Sequence, residues 1–265
     1  MNEAKSQYTA VVLAADRGPE DEVARATGAP CKSLAPVGGV PMVLRVLDAL
    51  DASREISGCI LCGPPRSIVH KHETLGSLIS SGKVRWMQNQ ATPSTSTSSV
   101  LNSLPDAEAV LVTTADHALL NADIVDYFCA EARASGADIA VGLARYDDVM
   151  AAYPGMRRTA MRFSDARYCS CNLFAFLTAR ARKIAELWRQ VESQRKKPWR
   201  IINLLGWMAV LRYATGKLSL AQARQLLSRR LGIDAAAVVL PFPEAAVDVD
   251  TIADWKLVED ITKDR

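Results

Sequence analysis

Three segments of this sequence carry side chains that could bind phosphate groups or a divalent cation. The first is the loop at residues 16–34, where Arg17, Arg25 and Lys32 occur together with two glycines. Its cations and backbone N–H groups could both bind a polyphosphate. The loop is longer than a simple strand-to-helix connection requires, which is typical of a functional loop, and a solvated surface loop is the alternative.

The other two segments carry carboxylates. An apolar run at residues 111–115 leads directly into Asp116, and Asp248 and Asp250 would lie on one face of an extended segment near the end of the chain. Carboxylate oxygens are the ligands that Mg²⁺ prefers. The alternatives are a turn or a helix cap. A magnesium site therefore requires a fold that brings these distant segments together.

The elements that must position these residues alternate along the first half of the chain. Hydrophobic patterning predicts strands at residues 8–15, 58–62, 84–87, 109–114 and 139–141, and helices at 41–50, 67–79, 98–104 and 121–134. This alternation predicts a mostly parallel α/β sheet with helices on both faces, which binds ligands at the carboxyl ends of its strands.

The pattern changes after residue 143. Strands are predicted at residues 155–163, 172–176 and 238–241, and helices at 179–191, within 199–231 and at 251–261. No Gly-, Pro- or Ser-rich linker divides the chain. We therefore expect a single domain over residues 1–265, with a helical insertion at about 195–232.

Composition excludes several classes of protein. The chain has 265 residues, of which 49% are hydrophobic, and a net charge of only +3, which argues against disorder and against a general nucleic-acid binder. The longest charge-free apolar stretch, residues 201–211, is too short to span a membrane. The first residues lack the apolar core of a secretory signal, and six cysteines are too few for a disulfide framework, so we expect a cytoplasmic protein.

Four segments together resemble the MobA-like nucleotidyltransferases. Residues 11–15 and Lys32-Ser-Leu resemble the signature L-A-A-G-x-G-x-R…P-K-x-L, and residues 37–42 resemble the V-x-G-x-P-M/L that follows it. Residues 111–120 resemble V-x-x-x-D-x-P-L-L, and residues 248–254 resemble D-I-D-T-P-E-D. The resemblance runs from about residue 8 to residue 262 and leaves the helical insertion uncovered.

The resemblance implies a three-layer, Rossmann-like sheet of the GT-A type and a Mg²⁺-dependent reaction. An NMP unit would pass from a nucleoside triphosphate to a small phosphorylated or hydroxylated acceptor, with release of pyrophosphate. It further implies that Lys32 neutralises phosphate charge and that Asp116 and Asp250 bind Mg²⁺, with Asp248 as an alternative to Asp250. Nucleotide contacts would come from Leu13, Ala14, Ala15, Asp16, Arg17, Ser98 and Ser99.

An acceptor phosphate would need cations of its own. If residues 156–163 are extended, Arg158 and Arg162 lie on one face, and Arg binds phosphate in a bidentate manner. The alternative is a charged edge strand. Asn172 resembles the family's acceptor-contacting asparagine, and a turn amide is its alternative.

Two observations leave other interpretations open. Asp16 replaces the first Gly of the signature, which would suit a catalytically weak nucleotide-binding or regulatory protein. Asp248-Val-Asp250 also matches the D-x-D motif of GT-A glycosyltransferases, although that motif is expected nearer the middle of a chain.

The segment at residues 195–213 has a basic start and an apolar continuation that contains Trp199 and Trp207. Packing on its own domain or on a second subunit is the favoured interpretation. Peripheral contact with an anionic membrane is the alternative.

Overall fold

A computed structural model describes residues 7–15, 20–106, 108–182, 184–185 and 206–263. Its strands are β1 (Tyr8–Leu13), β2 (Pro36–Val37), β3 (Val40–Pro41), β4 (Ile56–Cys62), β5 (Val84–Met87), β6 (Val110–Thr114), β7 (Ile139–Arg145), β8 (Met161–Arg162), β9 (Arg167–Phe176) and β10 (Ala235–Leu240). Asp16, Arg17 and residues 195–205 of the expected insertion lie outside the described residues.

Helices connect these strands. They are α1 (Glu22–Thr27), α2 (Met42–Asp51), α3 (Arg66–Val69), α4 (Glu73–Ser80), α5 (Pro93–Leu101), α6 (Ala122–Ala134), α7 (Tyr146–Ala152), α8 (Trp207–Ala214), α9 (Leu220–Leu231) and α10 (Ile252–Lys263). Residues 179–182 and 184–185 are also helical, and 3₁₀ turns occur at Lys32–Leu34 and Pro243–Ala246.

The strands form an eight-stranded sheet in the order β10-β7-β9-β6-β1-β4-β5, with β8 paired to β9. Strand β9 runs antiparallel to β6 and β7, whereas the pairs β1–β4, β1–β6, β4–β5 and β7–β10 are parallel. This mostly parallel α/β sheet confirms the predicted fold class.

Strand β1 is the centre of the part of the sheet that carries the site. It is an apolar run of six residues, as expected for a strand that is covered on both faces. Successive side chains point to opposite faces, so Val12 packs in the core formed with α2, whereas Val11 packs with Val100 and Leu101 of α5. Helices therefore cover both faces, which gives the three layers.

The register of β1 determines which loops meet. Leu13, the last residue of β1, lies opposite Cys62 of β4 and Thr114 of β6. Because these three strands are parallel and end at the same level, the segments that follow them emerge together at one edge of the sheet. This edge receives Ala14, Gly63 and Asp116.

Two predicted helices in the first half of the chain differ from the structure. Helix α5 begins at Pro93 rather than at residue 98, because Thr92 accepts a hydrogen bond from the backbone N of Thr95 in a capping box and Pro93 suits the first turn. The Ser- and Thr-rich residues 93–99 are therefore part of the helix. The predicted helix at residues 67–79 is divided into α3 and α4, and the side chain of His72 caps the second of these.

The elements after residue 143 differ more from the predicted ones. The expected strand at residues 155–163 is reduced to β8, and β9 starts five residues before the predicted 172. The described part of the insertion contains α8 and α9, and Ser219 is the N-cap of α9. No helix among the described residues is long and apolar enough to cross a membrane.

Candidate active site

A buried lysine joins the two predicted carboxylates. Lys32 lies in the 3₁₀ turn Lys32–Leu34 and is only 6% exposed. Its Nζ donates to Oδ2 of Asp116 at 2.7 Å and to Oδ1 of Asp250 at 2.9 Å. One ammonium group is therefore shared by carboxylates from two separate segments, and the three predicted catalytic residues lie together.

Two local contacts hold Asp116 in place. It follows β6, where the hydroxyl of Thr114 donates to Asp116 Oδ1 at 2.6 Å. The backbone N of Val249 donates to the carbonyl oxygen of Asp116 at 3.0 Å. This second bond holds the residue before Asp250 against the loop that follows β6. The carboxylates of Asp116 and Asp250 are therefore kept close by a backbone hydrogen bond as well as by Lys32.

Asp250 lies just before α10 and is half exposed. The carboxylate of Asp254 accepts hydrogen bonds from the backbone N of Asp250 and of Thr251, the latter at 2.8 Å. Asp254 thus stabilises the start of α10 and leaves the side chain of Asp250 directed to Lys32.

The ion pairs of Lys32 with Asp116 and Asp250 determine the charge of the lysine. Burial by itself lowers the pKa of Lys32, but the charges and hydrogen bonds of Asp116 and Asp250 outweigh it, so the pKa is raised. Lys32 therefore stays an ammonium ion at neutral pH. The neighbouring His117 is fully buried, and burial lowers its pKa to about 4, so its ring is neutral.

The end of β1 forms the side of the site where the nucleotide is expected. Ala14 is buried and its backbone N donates to the carbonyl oxygen of Cys62 at 2.9 Å, whereas Leu13 is partly buried and Ala15 is exposed. A Cβ atom at Gly63 would lie 2.7 Å from the carbonyl oxygen of Ala14, and Gly63 has a φ of +83°. Glycine is thus required where β4 approaches the end of β1.

The predicted serine contacts lie on α5. Ser98 and Ser99 are partly buried in the second half of this helix, which packs against β1. The N-cap of α5 is Thr92, so neither serine caps this helix.

A second polar cluster lies beside the first, and we call Asp248, Arg158 and Asn172 the Asp248 cluster. The Asp248 side chain is 10% exposed and forms an ion pair with Nη1 of Arg158, and the amide of Asn172 donates to its Oδ2 at 2.7 Å. Burial raises the pKa of Asp248, and the charge of Arg158 opposes that rise.

An irregular stretch of backbone in β9 positions Asn172 in this cluster. Asn172 has a φ of +51° within β9, near the point where the pairing register with β7 shifts between Val141 and Leu143. Arg158 also donates from Nη2 to the carbonyl oxygen of Ser170 at 3.2 Å. The irregular position in β9 therefore turns the Asn172 amide towards Asp248.

The two predicted acceptor arginines are placed differently from each other. Arg158 is mostly buried and pairs with Asp248, whereas Arg162 is exposed and its backbone N donates to the hydroxyl of Tyr213 at 3.2 Å. Strand pairing begins only at Met161, so the shared face expected from strand alternation across residues 156–163 is not formed. Both Arg158 and Asn172, which were expected to contact the acceptor, contact Asp248 in this structure.

A family model describes residues 10–205 of this chain as a MobA-like NTP transferase domain. The chain belongs to the MobA-like NTP transferase family. The matched range includes Lys32 and Asp116 and ends before Asp250. Family membership places the protein among the nucleotidyltransferases, and it confirms the resemblance read from the sequence motifs.

Solved structures agree with the family. A hypothetical transferase from Thermus thermophilus is 28% identical, with a TM-score of 0.78 over 94% of this chain and 99% of that one. A CMP:2-keto-3-deoxy-manno-octonic acid synthetase complexed with CTP is 14% identical, with a TM-score of 0.60 over 98% and 99% of the two chains.

A third structure extends the comparison. The 4-diphosphocytidyl-2C-methyl-D-erythritol synthase from Anaerococcus prevotii is 11% identical, with a TM-score of 0.57 over 97% of this chain and 99% of that one. At 14% and 11% identity these similarities establish the shared fold. No curated protein matches the sequence significantly.

Sequence reasoning missed three contributors to the site of this transferase. They are Thr114, which orients Asp116, Gly63, which allows the approach of β4 to β1, and the pairing of Arg158 with Asp248. Thr114 could have been found, because it lies two residues before Asp116 at the end of a predicted strand. The other two depend on contacts between distant segments.

The Asp248 cluster supports a prediction about stability. Replacing Asp248 by Ala should lower the free energy of unfolding by about 2–3 kcal/mol, because it leaves the mostly buried guanidinium of Arg158 without its counter-ion. Urea denaturation of the two proteins measures this difference. Asp260→Ala, which removes an exposed carboxylate on α10, is the matched control and should change stability by less than about 0.5 kcal/mol. Equal stability of the Asp248 and Asp260 variants would contradict the pairing.

Proposed function

We propose that this protein transfers an NMP unit from a nucleoside triphosphate to a small phosphorylated acceptor, with Mg²⁺ as cofactor and pyrophosphate as product. The observation that carries the proposal is the convergence of Asp116 and Asp250 on the ammonium group of Lys32 at the carboxyl edge of a parallel sheet. A site with two carboxylates and one buried cation suits a charged triphosphate and its metal.

The donor set fits Mg²⁺. No group of three or more His, Cys, Asp or Glu side chains suited to a metal ion occurs in the described part of the chain. Mg²⁺ is commonly bound by one or two carboxylates together with substrate phosphates and water, rather than by an all-protein cage. Asp116 and Asp250 would hold the ion, which when bound polarises the phosphate oxygens and offsets their charge.

The residues of this chain would then divide the remaining tasks. Lys32, charged at neutral pH, would neutralise negative charge on the triphosphate as it develops in the transition state. The backbone at Leu13, Ala14 and Ala15 would line the nucleotide, with Ser98 and Ser99 on the neighbouring helix. The predicted contacts of Asp16 and Arg17 remain part of this proposal.

The chemistry favours a phosphorylated acceptor. An acceptor oxygen forms a bond to the α-phosphorus as the bond to the pyrophosphate oxygen breaks, and a phosphate oxygen attacks without needing to lose a proton. A hydroxyl acceptor would need a base to take its proton, and the ring of His117, next to Asp116, is buried and so not available to a bound acceptor. Positioning and charge stabilisation therefore account for the catalysis.

The same convergence supports one functional unit. Lys32, Asp116 and Asp250 come from the first, middle and last parts of the chain, so we propose that residues 1–265 act as a single domain. We also propose a cytoplasmic location, since six cysteines in 265 residues are too few for a disulfide framework.

Pyrophosphate release tests the proposal. We expect turnover when the protein is incubated with Mg²⁺, each of the four NTPs and a panel of sugar, polyol and amino-alcohol phosphates. Activity should require both the acceptor and the metal, and chelation should abolish it. Tight NTP binding without turnover on the whole panel would instead favour the catalytically weak nucleotide-binding protein that Asp16 suggests.

A further inference from the structure

Helices α8 and α9 have an unusual charge composition. From Gly206 to Ile233 the sequence contains five Lys or Arg residues and no Asp or Glu, although the net charge of the whole chain is only +3. These cations are Arg212, Lys217, Arg224, Arg229 and Arg230. Positive charge is therefore concentrated in one part of an otherwise nearly neutral protein. We call residues 206–233 the basic unit.

The basic unit also carries the exposed apolar surface. Among the described residues, the large hydrophobic side chains that are clearly exposed all lie on α8: Trp207 is 64% exposed, Met208 51%, Leu211 49% and Tyr213 40%. Trp207, Met208 and Leu211 have the spacing i, i+1, i+4, which places them on one side of the helix. An apolar patch of this kind marks an interaction surface.

An arginine side chain lies near each end of α8. The guanidinium of Arg230 lies against its start, since a Cβ atom at Gly206 would be 2.8 Å from Arg230 Nη2. Near its end, Arg212 donates to Gln222 Oε1 at 2.7 Å and thereby joins α8 to α9. Arg224 and Arg229 are exposed on α9, a helix that buries none of its twelve residues.

The basic unit is held firmly to the rest of the chain. The backbone N of Ser164 donates to the carbonyl oxygen of Leu218 at 2.9 Å, and the backbone N of Leu220 donates to Asp165 Oδ1 at 2.9 Å. The rings of Phe163 and Tyr213 meet edge to face, with 5.7 Å between centroids. The unit therefore presents its cations and apolar side chains in a fixed arrangement beside the β8–β9 hairpin.

We infer that the basic unit binds the surface of an anionic lipid bilayer. Exposed Trp, Met and Leu side chains can enter the boundary between headgroups and acyl chains, while neighbouring Arg and Lys side chains bind anionic headgroups. A nucleic acid would match the cations but would leave the aliphatic side chains of Met208 and Leu211 without a partner. A second copy of this chain would bring like charges together if two basic units met across a two-fold axis. The combination of charge and apolar surface therefore favours the bilayer. This binding is independent of the transfer reaction.

Vesicle sedimentation with the full-length protein tests the inference. One set of vesicles contains phosphatidylcholine alone, and the other contains three parts phosphatidylcholine to one part phosphatidylglycerol. We expect binding to the anionic vesicles only, and a decrease in binding as salt is added. Arg229→Gln combined with Arg230→Gln should weaken binding about 30-fold, since each cation near a membrane contributes about fivefold.

Matched variants separate the two contributions. Lys71→Gln combined with Arg85→Gln removes two exposed cations elsewhere and should leave vesicle binding unchanged. Trp207→Ser combined with Met208→Ser and Leu211→Ser should weaken binding about tenfold or more if these side chains enter the bilayer. Thermal unfolding of every variant should match the wild type, because all the substituted side chains are exposed or partly exposed.

Three results would overturn the inference. The first is equal binding to neutral and anionic vesicles, and the second is the absence of binding to either. The third is binding that depends on the arginines but not on Trp207, Met208 and Leu211, together with tight binding of a single-stranded RNA. That pattern would identify a nucleic acid, rather than a bilayer, as the occupant.

Discussion

Replacing Asp116 by Asn should reduce kcat/KM for pyrophosphate release by about 10³-fold, a loss of about 4 kcal/mol of transition-state stabilisation. Asn keeps the size of the side chain and can still accept from the hydroxyl of Thr114, but it loses the negative charge that would hold Mg²⁺. Initial rates at several Mg²⁺ concentrations measure the effect. Excess Mg²⁺ should restore only part of the activity.

The control for this prediction is Asp260→Asn, which neutralises an exposed carboxylate on α10 outside the site. It should retain the wild-type rate and the wild-type dependence on Mg²⁺. If Asp116→Asn kept activity within about tenfold of the wild type, Asp116 would not be a metal ligand, because removing a ligand of a catalytic metal costs several kcal/mol.

Replacing Lys32 by Met should reduce kcat by about 10²–10³-fold, as expected for the loss of one preorganised group that stabilises transition-state charge. Met fills similar space without the ammonium group. Asp116 and Asp250 would then face each other without their shared cation, so the free energy of unfolding should also fall, by about 1–2 kcal/mol without Mg²⁺. This value is modest because Asp250 is half exposed and its charge is screened by solvent.

Magnesium should affect the Lys32→Met variant more than the wild type. The metal no longer competes with the Lys32 ammonium for the two carboxylates, so added Mg²⁺ should raise the melting temperature of the variant by the larger amount. Differential scanning calorimetry with and without Mg²⁺ measures this. Lys71→Met, at an exposed lysine, is the matched control and should show neither effect. An equal response of wild type and variant to Mg²⁺ would show that Lys32 and the metal do not share these carboxylates.

The Asp248 cluster gives the expected acceptor-binding residues different contacts from those predicted. Sequence alternation suggested that Arg158 and Arg162 bind an acceptor phosphate together, but Arg158 contacts Asp248 and Ser170, and Arg162 lies at the surface. The D-x-D spacing of Asp248 and Asp250 also has a different meaning here. Asp248 pairs with Arg158 and Asn172, whereas Asp250 pairs with Lys32, so the two carboxylates serve different partners.

Local sequence patterns predict the strands that carry the site and the order of its motifs. Strand β1, strand β6 with Asp116 beyond its end, and the start of α6 at Asn121 all follow from local patterns of apolar and capping residues. Such patterns are visible in sequence because a buried strand or a capped helix imposes its period on neighbouring residues. The resemblance to the transferase signatures added the roles expected of Lys32, Asp116 and Asp250.

Which of these residues meet depends on the packing of distant segments. The ion pair between Lys32 and Asp250 joins positions 218 residues apart, and that between Arg158 and Asp248 joins positions 90 residues apart. No local period relates positions so far apart, because their contact depends on the parallel register of β1 and β6 and on the backbone bond from Val249 to Asp116. Side-chain chemistry made a site with two carboxylates plausible, and the packing of the sheet brought them together around Lys32.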